Sequence, residues 1–282
     1  MSRTSAFASV VWRELQTVVR TRTYALLSVG LALVFVQLVR GGDAAESGYV
    51  PAAVDLLLPV EVLVPLVAVA LGYRAFSGDN DDRPVLRTYP ISRVALVGGV
   101  FVGRLVGLAA IVGVPLVAVA VLVSQTSGVE SAVFATHSGV DSPVLFARFV
   151  MLTFLFGAVV LAMAIAASIL VQTSRAALAL ALAVLVAVIA GGDLLTLVGL
   201  STGTIDGSSL ETALAASPAS AYRGLVLELV VGVATDEQGV ANVTASVVGL
   251  LGWLLASLFV TVAGVYRQPT GGRLRRLVRR LR

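Results

Sequence analysis

Four charged residues, Asp55, Glu61, Arg104 and Arg148, stand inside long runs of Ala, Val and Leu. An ionisable group in such a run is costly in a membrane, so its presence points to a substrate path, an interhelical pair, or a stem reaching back to the headgroups. Asp55 and Glu61 lie beside Pro59 and Pro65, which loosen a helix and suit a polar cavity; both are candidates for a substrate path. Arg148 is a candidate partner for either carboxylate, and Arg104 sits where its stem snorkels to the inner headgroups or finds a pair. A second group offers docking chemistry instead. Asp79, Asp81 and Asp82 cap a short helix with Pro84 in its first turn, ending at Tyr89 before Pro90. With Arg83, Arg87 and Arg93 they form either a rigid knob for a soluble partner or a solvated loop.

Other chemistry is excluded by absence. The chain has no Cys and a single His, His137, and none of its twenty basic residues is Lys. Disulfides, thiol nucleophiles and cysteine zinc sites are ruled out, as are the P-loop lysine and a lysine Schiff base. A lone His in the loop SAVFATHSGVDSP reads as a solvated residue, because a metal needs several ligands. His137, Ser138 and Asp141 are too close in sequence to form a triad, and no nucleophile elbow accompanies them. The basic excess gathers at membrane edges with no groove-reading motif, so no nucleic-acid partner is expected.

These residues must be positioned by a membrane fold. Hydrophobic residues make up 58% of the 282 and charged ones only 13%, against roughly 25% charged in soluble domains. Six apolar runs are long enough to cross a bilayer, at about 24–39, 54–73, 94–123, 144–171, 176–200 and 243–266. None alternates with period two, so the expected fold is all-α, a six-helix transmembrane bundle forming one domain over 1–282. Sixteen of the twenty arginines fall on one side of this map, which places both termini in the cytoplasm of a plasma-membrane protein. The first run lacks a small-residue cleavage site and is expected to remain as an anchor. Residues 5–22 carry Phe7, Val10, Val11, Leu15, Val18 and Val19 at helical spacing, with Arg13, Glu14, Gln16 and Arg20 opposite: an interfacial helix, with Trp12 at headgroup level. Residues 267–282 form a basic cytoplasmic tail. The connection 201–242 contains AYRGLVLELVVGVA, too short to span, which reads as a surface or re-entrant helix with Arg223 and Glu228 toward water. Gly99, Gly103 and Gly107 repeat at GxxxG spacing, suiting close helix packing within the chain or across a dimer.

The sequence resembles the permease subunits of ABC-2 type transporters over nearly its whole length. Leu86-Arg87-Thr88-Tyr89-Pro90-Ile91-Ser92-Arg93 is similar to the family's proline–small–Arg turn, and Gly103-Arg104 stands where a Gly-Lys is expected. Ser217-Pro218-Ala219-Ser220-Ala221-Tyr222-Arg223 is similar to the Asn-Pro segment of permeases associated with nitrous oxide reductase maturation. The usual Gly-Thr of the loop helix is absent, and three aspartates replace its glutamate. The resemblance implies a half-transporter, an exporter acting as a homodimer or with a second permease. It implies a separate ABC ATPase that binds ATP and Mg²⁺, docks on the 79–89 helix and Arg93, and leaves this chain without a cofactor. An ion-coupled secondary transporter, with Asp55 and Glu61 as coupling carboxylates, is the alternative reading, and an intramembrane enzyme a more distant one. The all-arginine composition and acidic outer loops suggest a high-GC, salt-rich (halophilic) origin.

Overall fold

The computed structural model describes residues 3–77, 91–127, 141–171, 173–206, 209–235 and 241–265. The segment 78–90, with Asp79, Asp81, Asp82, Arg83, Arg87 and Tyr89, lies outside them, as do His137 and the tail 267–282. The described residues contain helices and no strands.

Six helices are long and apolar enough to cross a membrane. They are α2 (Arg22–Gly41), α4 (Tyr49–Gly72), α5 (Arg93–Thr126), α6 (Pro143–Leu170), α7 (Ser174–Ser201) and α10 (Val243–Gly264). Before them runs α1 (Arg3–Arg20), and the single turn α3 (Ala44–Ser47) joins α2 to α4. Between α7 and α10 lie α8 (Leu210–Ala216) and α9 (Pro218–Gly232), bent by 112° at Ser217. At 1.5 Å per residue α8 is about 10 Å long and α9 about 22 Å, so neither spans alone. A bend this sharp is that of a broken span or of a re-entrant pair, so the described residues hold six crossing helices, or seven if the pair counts as one span.

The helices α4, α5 and α6 bury half or more of their apolar windows, whereas α2, α7 and α10 bury fewer than a fifth. The core is therefore a three-helix centre with three peripheral spans, built on Phe35, Leu56, Leu108, Leu116, Phe149 and Phe156. Where two backbones come close, glycine makes it possible: a Cβ on Gly72 would fall 2.5 Å from that of Ala164, joining the C-terminal parts of α4 and α6.

Helix ends match the sequence reading within a few residues except at α4, which begins five residues before the expected position. The cause is remote in sequence. Asp141 accepts hydrogen bonds from the amides of Tyr49 at 2.7 Å and Val50 at 2.9 Å, satisfying first-turn donors that would otherwise be unpaired. Gly48, at φ 122°, lets that carboxylate approach. With this cap in place, Pro51 sits in the first turn, where its missing N–H costs nothing. Local caps act elsewhere: Ser92 starts α5, Thr173 starts α7 and Asn242 starts α10, each accepting from an amide three residues on.

Candidate functional site

At the end of the bundle where α5 starts, α1 lies along that helix. The glycines at 99, 103 and 107 form its seat: added Cβ atoms would fall 2.8 Å from Val10, 2.6 Å from Glu14 and 3.0 Å from Val18. The GxxxG stripe is thus covered by a helix of the same chain. Val10 and Glu14 are each 7% exposed, while Trp12 on the far face is 63% exposed. The sequence put Glu14 with the polar residues of α1; in the structure it points inward.

Its partner is Arg104. The guanidinium Nε donates to Glu14 Oε2 at 2.9 Å, and Nη1 donates to the carbonyl of Leu71 near the end of α4. Arg13 holds the other Glu14 oxygen at 2.9 Å. Arg104 therefore pairs rather than snorkels, and one side chain ties α1, α5 and α4 together.

A second cluster lies deeper. Glu61 is 2% exposed and takes a two-pronged ion pair from Arg223, with Nε at 3.1 Å and Nη2 at 2.5 Å. Arg223 Nη2 also donates to Asp193 Oδ2 at 3.2 Å, and Ser220 donates to Asp193 Oδ1 at 2.7 Å. Planar guanidinium geometry suits this forked recognition of carboxylates. Three elements meet here: α4 through Glu61, α7 through Asp193, and α9 through Ser220 and Arg223. The sequence directed Arg223 toward water, whereas the fold turns it onto Glu61, because the elbow before it is fixed from several sides. Trp253 donates from its indole to the Ala216 carbonyl at 2.9 Å. Gly249 of α10 makes room for the Ala215 carbonyl, and Gly192 of α7 for Ser217. Tyr222, fully buried, stacks on Phe156 at 4.7 Å and shares a 3.0 Å hydrogen bond with Thr153.

The remaining candidates are dispersed. Arg148 is exposed and donates to the Leu229 carbonyl at 3.3 Å; of the two carboxylates it was a candidate partner for, Glu61 is taken by Arg223. Asp55 is exposed and borders Gly42 at the outer end of α2, six positions from Glu61 along α4. Arg93 is exposed at the first position of α5. Glu228 keeps one buried oxygen, Oε2, without a hydrogen-bond partner. Among the described residues no three His, Asp or Glu side chains converge as a metal site.

Sequence reasoning passed over Glu14, Asp193 and the inward role of Arg223. A signal existed for Asp193, an acidic residue inside the fifth apolar run, after Gly191 and Gly192. Two π-helical segments, Ala187–Gly191 and Leu227–Gly232, flank the cluster along the chain; such turns shift a helix's register and recur at functional sites.

A search of curated proteins finds no match. A family model described as ABC-2 family transporter protein matches residues 8–267. That match takes in most of α1, all six apolar helices, the bent pair and both ion clusters, and the chain belongs to the ABC-2 family of transporter proteins.

Proposed function

We propose that this chain is the permease subunit of an ATP-driven exporter of the plasma membrane, with both termini in the cytoplasm. It works as a homodimer or beside a second permease, and a separate ABC ATPase carries ATP and Mg²⁺. The reading that the all-arginine chain has no Walker lysine of its own supports a borrowed motor. The observation that carries the proposal is the joint at Arg104. A soluble motor on the cytoplasmic face needs a rigid handle, and α1, seated on glycines and pinned through Glu14 to α5 and α4, is one. In this reading Asp79, Asp81, Asp82, Arg83, Arg87, Tyr89 and Arg93 receive the ATPase, and closure of its two copies tilts α1 together with the central helices. Glu61 and Asp55 belong to the substrate path. The segment Ser217–Arg223 supports placement beside the permeases associated with nitrous oxide reductase maturation, and the acidic outer loops support a salt-rich habitat.

The test is affinity capture of the tagged chain from its native membranes, followed by mass spectrometry. Stoichiometric recovery of a Walker-bearing subunit is expected, together with ATPase activity in the complex. Repeated recovery of the chain without any nucleotide-binding subunit would overturn the proposal.

A further inference from the structure

The outer ion cluster is sealed on one side and open on the other. The Glu61 side chain is 3% exposed, but those of Arg223 and Asp193 are 34% and 36% exposed. Their depth makes this exposure informative. Asp193 lies eight positions before Ser201, about 12 Å below the outer end of α7, and Glu61 lies twelve positions into α4, about 18 Å from its start. Between Asp193 and Ser201 the chain carries no charge, and Leu194, Leu195 and Val198, turned away from Asp193 around the helix, are exposed apolar residues. A hydrocarbon layer about 30 Å thick therefore takes in this part of α7. A long arginine stem reaches headgroups from such a depth, whereas aspartate has a single methylene and does not. A half-exposed carboxylate facing lipid there is strongly unfavourable, so the face that bears it must be wet.

We infer that the Asp193–Arg223 edge is the water-lined wall of the permeation path, with Glu61 as the buried anchor behind it and Asp193 as the group that meets the cargo. This rests on the permease reading above and adds the face of the bundle that cargo passes. The edge carries two carboxylates against one guanidinium; Asp193 Oδ1 accepts from the Ser220 hydroxyl and Oδ2 from Arg223, which leaves each oxygen a further lone pair. Its remaining capacity is that of a hydrogen-bond acceptor with net negative charge, which suits cationic or donor-rich groups.

The natural absence of cysteine allows a direct test in the full-length chain. Single variants Asp193→Cys, Leu197→Cys and Leu195→Cys are treated in sealed vesicles with a membrane-impermeant cationic methanethiosulfonate. At 3.6 residues per turn, Leu197 lies about 40° from Asp193 and Leu195 about 200° away, on the opposite face yet nearer the outer surface. Only a hydrated thiol ionises and reacts, so labelling at Asp193→Cys is expected to be at least about tenfold faster than at Leu195→Cys. Leu197→Cys, an exposed position, supplies the same comparison if Asp193→Cys does not reach the membrane. Equal rates on both faces would mean headgroup-level wetting, and no labelling at 193 or 197 would mean a dry face; either overturns the inference. The readout needs neither ATP nor a partner. A wet Asp193 in a chain that captures no ATPase therefore refutes the permease reading alone, and a dry one in a chain that captures it refutes only this inference.

Discussion

Removing the guanidinium of Arg223 should destabilise the protein far more than removing the carboxylate it grips. The asymmetry follows from burial. The Glu61 side chain is 3% exposed and receives both prongs of the fork, so Arg223→Met strands a carboxylate that water cannot reach. Breaking a buried pair from that side costs about 3–5 kcal/mol. Arg223 is one-third exposed and keeps Asp193 at 3.2 Å, so Glu61→Gln leaves a cation with both a partner and solvent. That change should cost about 1 kcal/mol. At roughly 2 °C per kcal/mol for a chain of this size, the drops in Tm are about 6–10 °C and about 2 °C. The double variant Glu61→Gln/Arg223→Met no longer strands a charge and should recover part of the loss, with a coupling of about 1–3 kcal/mol. Thermal unfolding of detergent-solubilised protein, followed by the fluorescence of Trp253 beside the elbow, measures all three. A Glu61→Gln variant as unstable as Arg223→Met, or a double variant showing the full sum, would refute the reasoning that a stranded Glu61 sets the cost.

Gly103→Val pushes a Cβ to 2.6 Å from Glu14 and 3.0 Å from the Val11 carbonyl, and should lift α1 from α5 at about 1–3 kcal/mol; faster tryptic cleavage at Arg20 and Arg22 reads it, while Gly30→Ala, with open space around it, should leave the digest unchanged. Arg104→Met removes the tie to Glu14 and Leu71 but leaves Arg13 on Glu14, so about 1–2 kcal/mol is expected at the same joint; an unaltered digest would show that the ion pair does not hold α1. Asp141→Ala should expose the first turn of α4 at about 1 kcal/mol, measured as faster amide exchange at Tyr49 and Val50, with Asp141→Asn restoring part of the protection.

What the sequence made legible was whatever depends on local composition. Long apolar runs without period two require helices, so the six apolar helices, and helices over 5–22 and within 221–234, follow from residue types alone. The partners of the charges did not follow, for a definite reason. Glu61 and Arg223 are 162 positions apart, Glu14 and Arg104 are 90, and Asp141 caps an amide 92 positions earlier. Periodicity carries no information across such distances, and an expected depth near the same end of the spans made Arg148 a candidate for Asp55 or Glu61. The fold chose otherwise because the elbow at Ser217, held by Gly192, Gly249 and Trp253, delivers Arg223 to the side of α4 from a segment that reads as an outer loop. The glycine stripe shows the same limit: its spacing announces a close neighbour, and only the packing identifies that neighbour as α1.

Both ion clusters hold the same helix. Arg104 donates to the Leu71 carbonyl near the C-terminal end of α4, and Arg223 grips Glu61 ten positions earlier, about 15 Å along the axis. Pro65 stands between them and has no N–H to give the carbonyl four residues back, which is that of Glu61 itself; Pro59 stands in the same relation to Asp55. A helix interrupted in this way bends most readily at the residues whose carbonyls lose their donors. In the proposed transporter, a push on α1 passes through Glu14 and Arg104 into the lower segment of α4, and the first place where α4 can yield is the level of Glu61. The side chain at that level is the one fastened to the bent pair and, through Arg223, to Asp193 on α7. Inner handle, flexible joint and outer ion cluster thus lie in series on one helix, so motion at the cytoplasmic face reaches the exposed edge of the cluster without needing the lipid-facing spans to rearrange first.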